Sequence, residues 1–336
     1  MGKAQIPANY TPIMDARETN AAIKRLKDGF ESCLAEALNL TRVSAPLFVD
    51  AGTGINDNLS GTERPVSFST AESPNANVEI VHSLAKWKRA ALGRMGFERG
   101  EGLYTDMNAI RRDETADNLH SYYVDQWDWE FVLSREERTR TKLHQLVEHI
   151  YSVFLRTEAD LYAYDLRMTP VLPREITFLT SQELEDEYPG LTPKQRENIV
   201  ARKYGAVFIE NIGGALRSGK PHDLRAPDYD DWSLNGDILF DYPLLNCAME
   251  MSSMGIRVDE RSLIEQLCVS GHEDWANRPF HRALLEGELP LTAGGGIGQS
   301  RLCMFFLKKA HIGEVQSSLW PADMVRELKD AGIELM

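Results

Sequence analysis

Cysteine is sparse and scattered in this sequence. Cys33, Cys247, Cys268 and Cys303 form no C-x-x-C pair, and no H-E-x-x-H occurs. That argues against structural zinc and a thiol redox centre, and the four read as small reduced core residues. Positive charge is also short: 37 Lys and Arg stand against 51 Asp and Glu, a formal net charge of −14. Such a balance disfavours a broad grip on nucleic acid or an anionic membrane, so a polyanion site has to be a local reversal of sign. No run of about 18 apolar residues and no signal-like apolar core is present, and Ile6 stands where an N-myristoylation motif needs Ser or Thr. A cytoplasmic protein without membrane contact is expected. Repeats, low-complexity tracts and long linkers are missing too, which favours one continuous domain.

What is there alternates between helix and strand signals. Ile23, Leu26, Phe30, Leu34 and Leu38 recur at helical spacing over residues 17–39. "LTRVSAPLFV" follows as a strand-like stretch, whose Pro46 points to an edge or an interface. "VEIVHSLAKWKRAALGRMG" reads as a strand, an N-cap at Ser83 and a helix ending near a glycine. Ser134 and Glu137 make a capping box for a helix over 134–160 with an apolar stripe from Leu143 to Leu155. In "TPKQRENIVARKYG", Thr192 caps, Pro193 opens and Gly205 closes a helix, and the strand "AVFIENI" follows. Strand pairs such as 237–241 with 246–258 indicate a largely antiparallel sheet carrying helices, an α+β class.

The glycine run "TAGGGIGQSRL", residues 292–302, fits neither common phosphate motif. A dinucleotide fingerprint would need glycine where Gln299 stands, and a P-loop would need a lysine that is absent. It reads as a glycine-rich turn leading into an apolar helix, with Arg301 on the first turn, where a guanidinium and backbone amides converge on an oxyanion. A tight turn with a solvated arginine is the equal alternative. In "CAMEMSSMGIRV", period two puts Glu250 and Ser252 on one face and Cys247, Met249 and Met251 on the other. Asp237 begins the neighbouring strand, so two carboxylates could share Mg²⁺; a solvated sheet face is the plainer option.

"GLYTDMNAIRRDE" offers Arg111 or Arg112 for a phosphate and Glu114 for a nucleobase amine, or merely a surface charge run. "YYVDQWDWE" places Gln126 and Asp128 opposite Trp127 and Trp129, and amide plus carboxylate suits a small zwitterion. Lys86, Lys88 and Arg89 reverse the sign locally in "VHSLAKWKR". Asp57 in "GTGIND" and Asp228, Asp230 and Asp231 in "LRAPDYDDW" lie in acidic loops, which are ordinarily solvated.

Seven stretches, "HSLAKWKR", "GEGLYT", "VDQWDWE", "RAPDYDDW", "LNGDIL", "SSMGIRV" and "GGGIGQSR", together resemble the ammonia-dependent asparagine synthetase (aspartate–ammonia ligase) family. That family shares the catalytic fold of class II aminoacyl-tRNA synthetases. The resemblance runs from about residue 17 to the C-terminus, leaving 1–16 as an N-terminal extension before a single catalytic domain, 17–336. It implies ATP contacts by Arg111, Glu114, Ser253, Gly296 and Arg301, with Arg111 at the α-phosphate and Glu114 at the adenine amine. It implies that Ser83, Lys88, Gln126, Asp128 and Arg257 hold L-aspartate, with Asp57 and Asp230 beside its side-chain carboxylate and the incoming nitrogen. Asp237 and Glu250 would hold Mg²⁺. The first motif, residues 17–49 with Pro46, implies a homodimer.

The reaction so implied converts L-aspartate, ammonia and ATP to asparagine, AMP and pyrophosphate through β-aspartyl-AMP. Glutamine is disfavoured as nitrogen donor because that route needs an N-terminal cysteine, and Gly2 follows the initiator. Two departures stand out: a loop of about nine residues is missing between "DDWS" and "LNGD", and about ten extra residues precede the family's start. An aspartyl-transferring paralogue is one alternative, weakened by the lack of an anticodon-binding domain or basic tract. A non-catalytic ATP or aspartate sensor is another, though it would have no chemical need for Arg111, Glu114, Asp237, Glu250 and Arg301 together.

Overall fold

The computed structural model describes residues 4–59 and 63–336. In chain order the described residues form α1 (Ala16–Leu38), β1 (Leu40–Arg42), β2 (Phe48–Asp50), β3 (Ser67–Phe68), β4 (Val78–Ile80), α2 (Ala85–Met95), β5 (Gly102–Ile110), β6 (Tyr123–Val132) and α3 (Arg140–Tyr164). Then come β7 (Thr177–Thr180), α4 (Ser181–Glu187), α5 (Pro193–Tyr204), β8 (Ala206–Glu210), β9 (Asp230–Tyr242), β10 (Cys247–Arg257), α6 (Glu260–Ser270) and α7 (Pro279–Leu285). β11 (Thr292–Gly298), α8 (Gln299–Phe306) and α9 (Ala322–Asp330) complete them. Eight strands make one sheet in the order β1-β5-β6-β11-β10-β9-β8-β7. Every neighbour is antiparallel except the two outermost pairs, β1 with β5 and β7 with β8. This is the α+β arrangement expected, with β2, β4 and β3 forming a small second sheet.

One face of the large sheet is dry. α1 starts at a capping box between Asp15 and Glu18 and buries Ala22, Leu26, Phe30, Leu34 and Leu38. It packs with α3 over the strands, where the Phe30 ring stacks on Trp127 at 4.9 Å and Phe154 meets Phe30 and Phe240. Each such side chain contributes about 1.5–3 kcal/mol by leaving water. Ahead of α1, the Gln5 backbone N–H donates to Asn118 Oδ1 at 2.7 Å, the Tyr10 hydroxyl donates to Glu314 Oε2 at 2.8 Å, and Met14 is buried. Residues 4–15 therefore lie against the body of the fold.

Several boundaries move from their sequence expectation for local reasons. The Ser134–Glu137 box caps a single 3₁₀ turn, and the long helix starts afresh at Arg140 under its own cap, Thr139, and continues to Tyr164. Pro46 lies inside neither strand: it separates β1, an edge of the large sheet, from β2, an edge of the small one. Leu84, not Ser83, takes the N-cap position of α2. Asp237 falls in mid-strand, because β9 already begins at Asp230. Of the cysteines, Cys33 and Cys303 are buried, while Cys247 is half-buried and Cys268 exposed.

Candidate active site

Four central antiparallel strands form the floor of a cavity of about 340 Å³. Their register lines up cross-strand rows. Asp128, Gly296, Ser253 and Asp237 stand side by side across β6, β11, β10 and β9, and Glu130, Gly294, Gly255 and Asn235 form the next row. The glycine run is thus a strand, not the turn expected from the sequence. Its glycines make room for neighbours: a Cβ on Gly294 would stand 1.9 Å from Glu130 Oε2, and one on Gly296 would stand 2.5 Å from Gln126 Oε1. The strand ends where α8 begins, and Arg301 falls on the first turn of that helix as expected.

β10 also corrects the simple alternation. A register shift between Glu250 and Ser252 changes the phase of the strand, as a bulge does when two residues oppose one. Glu250 and Ser253 line the cavity, and Met251 reaches it as well. Ser252 pairs opposite Ile297 and is buried. The bulge is what brings Ser253 beside Asp237, while Glu250 pairs opposite Leu239, two residues further along β9.

β6 keeps its period of two. Gln126 and Asp128 line the cavity while Trp127 and Trp129 are fully buried in the main core. α2 crosses this face and delivers Lys88, whose ammonium donates to Asp128 Oδ1 and, at 2.9 Å, to the Gly295 carbonyl. Burial lowers the Lys88 pKa and Asp128 and Glu130 oppose that shift. Asp128 Oδ2 is buried without a partner among the described residues. Ser83 Oγ accepts from the Ala85 N–H at 3.4 Å and donates its hydroxyl to Asp57 Oδ2 at 2.8 Å. Lys86 and Arg89 turn inward as well: Arg89 is buried and donates to the carbonyls of Pro290 and Val258.

Arg257 lines the cavity too and is clamped between two carboxylates. Its Nε and Nη2 donate to Glu130 at 2.9 and 2.8 Å, and its Nη1 donates to Asp230. Thr292 Oγ1 donates to Glu130 Oε1 at 2.7 Å. Burial resists the Glu130 charge, but Arg257, Lys88 and Thr292 outweigh it and hold the carboxyl below its ordinary value. Asp57, Asp228, Asp230 and Asp231 are all buried rather than solvated, because each has partners waiting in the interior.

Arg111, Glu114, Asp237, Glu250 and Arg301 line the same cavity. Arg301 Nη1 donates to the Glu250 carbonyl at 3.2 Å and lies 3.8 Å from its carboxylate. Arg111 Nε is buried with no partner among the described residues, whereas Arg112 is exposed and lies outside the cavity lining. Burial raises Asp237 to about 6, a shift that Arg225 opposes and Glu250 reinforces.

Three residues in and behind the cavity wall escape the sequence reading. Glu130 is one step further along the Gln126–Asp128 period and is legible from it. Arg225 donates to Asp237 Oδ1 at 2.6 Å and to Ser253. Tyr229 sits under the Arg257 guanidinium, 5.6 Å from its ring centroid. Both lie in "LRAPDYDDW", where attention falls on the acids.

Comparison with known proteins agrees with the fold. The family model described as aspartate-ammonia ligase matches residues 17–332. An aspartate–ammonia ligase of Clostridium perfringens is 60% identical over 336 residues, covering 100% of both chains, so neither the N-terminal residues nor the shortened loop sets this chain apart from it. One from Ruminiclostridium cellulolyticum is 60% identical over 330 residues, 98% of each chain. Among solved structures, asparaginyl-tRNA synthetase from Pyrococcus horikoshii complexed with asparaginyl-adenylate superposes with a TM-score of 0.66 at 16% identity, covering 90% of this chain and 70% of that one. That of Entamoeba histolytica gives 0.65 at 14%, covering 90% and 66%. At such identities these two speak for the fold alone, a class II synthetase catalytic domain. The full-length match and the sixty-per-cent relatives go further: this chain belongs to the aspartate–ammonia ligase family.

Proposed function

We propose that the chain makes L-asparagine from L-aspartate, ammonia and ATP through β-aspartyl-AMP, releasing AMP and pyrophosphate. The observation that supports the reading is that Ser83, Lys88, Gln126 and Asp128 line one and the same cavity as Arg111, Glu114 and Arg301. The unpartnered Asp128 Oδ2, with Gln126 beside it, suits the α-ammonium of aspartate. Lys88, Arg257 and the Ser83 hydroxyl suit its carboxylates. The β-carboxylate then attacks the α-phosphorus of ATP, while Arg111 and Arg301 offset the charge that grows on the phosphate oxygens. Glu114 accepts from the adenine amine, and Gly296 lets the substrate approach the strand without a side chain in the way.

Asp237 and Glu250 with the Ser253 hydroxyl offer the oxygen donors that Mg²⁺ prefers. Among the described residues no three His, Cys, Asp or Glu gather to hold a metal, so the remaining ligands would come from ATP and water. The site fits a cation: the Arg225 guanidinium already lies between Asp237 and Ser253. Bound there, Mg²⁺ would neutralise charge on the pyrophosphate leaving group. In the second half-reaction Asp57 or Asp230 binds ammonium and takes its proton before the nitrogen attacks the acyl carbon. Retained amidation by an Asp57→Asn, Asp230→Asn double variant would remove that role.

A homodimer and a cytoplasmic location belong to the same proposal. Leu47, Phe48 and Phe68 leave an exposed apolar patch around β2 and β3, with the two rings in edge contact at 5.3 Å. Among the described residues no helix is long and apolar enough to cross a membrane. The deciding experiment is product analysis with Mg-ATP, aspartate and either ammonium or glutamine. Asparagine forming one for one with AMP, and far better with ammonium, is the expected result; ADP in place of AMP would reject the activation chemistry.

A further inference from the structure

Beside the cavity lies an ionic cluster that the chemistry above does not use. Asp228 Oδ2 accepts from Lys86 Nζ at 2.7 Å and from His281 Nε2 at 2.9 Å, and none of the three side chains is more than 1% exposed. His281 Nδ1 has no partner among the described residues, so the hydrogen bonding of that ring is spent on Asp228. Burial opposes the Asp228 charge, but Lys86 and His281 outweigh it and hold the carboxyl well below the ordinary carboxylate range. A buried pair of this kind brings little net stability over apolar residues of the same size. Stability alone therefore does not account for it.

Its neighbours do. Asp228 is followed directly by Tyr229 and Asp230, which line the cavity, and Lys86 lies between Ser83 and Lys88, which line it from α2 and the turn before it. The turn before β9 is otherwise fastened elsewhere. Gln266 of α6 donates to the carbonyls of Pro227 and Asp230, both at 2.9 Å, and the Val258 N–H donates to the Tyr229 carbonyl at 2.9 Å. These bonds fix the turn to α6 and the end of β10. The Lys86–Asp228 pair ties it directly to α2, whereas Arg89 of α2 reaches it only by way of the Val258 carbonyl.

We propose that Asp228 is a positioning residue for the amino-acid half of the reaction. Through Lys86 it sets the spacing between the Tyr229–Asp230 wall and the Ser83–Lys88 wall, and His281 keeps its carboxylate from turning away. The inference rests on the assignment of aspartate and ammonium to that side of the cavity. Asp228 touches neither substrate. Its effect is geometric, and a displacement of about 1 Å in a reacting group costs up to about 10²-fold.

Asp228→Asn alone strands the Lys86 charge in the interior, so its failure would be ambiguous. The test is the charge-balanced pair Asp228→Asn with Lys86→Met, followed by thermal unfolding, steady-state kinetics and calorimetric titration of aspartate. The expected result is unfolding close to wild type and an unchanged KM for ATP, with KM for aspartate and ammonium raised about tenfold and aspartate binding weakened to match. Wild-type values for all three substrates, or an equal rise for ATP, would overturn the proposal. If the pair does not fold, His281→Gln decides. It leaves the Lys86–Asp228 bond in place and is expected to raise the aspartate and ammonium KM by a smaller factor; no rise there is equally fatal. Wild-type product formation measured in parallel keeps the two questions apart. A wild-type protein that makes no asparagine rejects the reaction, whereas a defect confined to the variants speaks to Asp228.

Discussion

Glu130→Gln isolates the charge that holds Arg257 in place. The carboxylate has no exposure, accepts from Arg257 and Thr292, and lies 3.9 Å from Lys88 Nζ. Glutamine keeps the shape, removes the charge and turns an amide N–H₂ toward one of these donors. Breaking a buried pair by neutralising one partner costs about 3–5 kcal/mol; Asp230 stays on Arg257, so the low end, about 3 kcal/mol, applies. Unfolding entropy of about 2.1 cal/mol/K per residue over 336 residues gives about 0.7 kcal/mol/K, and the melting temperature should fall by about 4 °C. The folded pKa of Glu130 is depressed below the ordinary 4.5. Its stabilisation is therefore complete above that value and is lost as pH falls through the folded pKa. Calorimetry at fixed protein concentration should show the full gap at pH 7 and a narrowing gap below about pH 4.5, with a raised aspartate KM alongside. A variant melting within about 1 °C of wild type at pH 7, or a gap that widens in acid, would refute the assignment of this charge to the Arg257 clamp.

Gly294→Ala should be at least as damaging as Glu130→Gln, because its Cβ would stand 1.9 Å from Glu130 Oε2 and 2.5 Å from Arg257 Nη2; melting temperature and soluble yield report it. Arg301→Ala should lower the rate of ATP–pyrophosphate exchange about 10²-fold with little change in melting, since among the described residues the guanidinium bonds only to Glu250. Asp237→Asn should raise the Mg²⁺ concentration for half-maximal activity about tenfold, and a metal titration that does not shift would take Asp237 out of the metal site. Phe48→Asp places a charge on a side chain 49% exposed in the proposed interface and should yield monomers by sedimentation; a persistent dimer would move the interface elsewhere.

Elements that depend on local pattern are readable. The Thr192 box, Pro193 and Gly205 mark both ends of α5, and the tryptophans of β6 alternate with its polar residues in the chain itself. Ser134 and Glu137 show the limit of the same method. Their box is present, but whether a cap opens one turn or seven depends on the residues downstream, and Thr139 supplies a second cap five residues later. The phase of β10 is not readable for a similar reason: a bulge is set by pairing with β9, and no residue in "EMSS" announces it. The glycine run misleads through composition. Glycines suggest turns when the chain must bend, but here none of the four has a positive φ, and Gly294, Gly295 and Gly296 are needed because side chains from β6 and β10 occupy the space a Cβ would take.

The acidic turn is the deeper case. A run such as "PDYDDW" reads as solvated because like charges close in sequence repel and seek water. In the fold each acid of the run is matched instead by a cation from a distant segment, Asp228 by Lys86, Asp230 by Arg257 and Asp231 by Arg138 at 2.8 Å, while Asp237 just beyond is matched by Arg225 from the same stretch. The basic run "AKWKR" likewise reads as a patch for an anionic ligand, and most of its charge goes to the protein's own carboxylates and carbonyls. Two runs of opposite sign, each improbable as a buried segment alone, become permissible together once they share an interior. On the proposed reading substrate has to share Lys88 and Arg257 with the carboxylates they already hold, and what stands open to it is an oxygen on Asp128, a nitrogen on Arg111 and, where Mg²⁺ is proposed, an Asp237 that Arg225 already contacts. Those leftovers, more than the sign of either run, set what the cavity can bind.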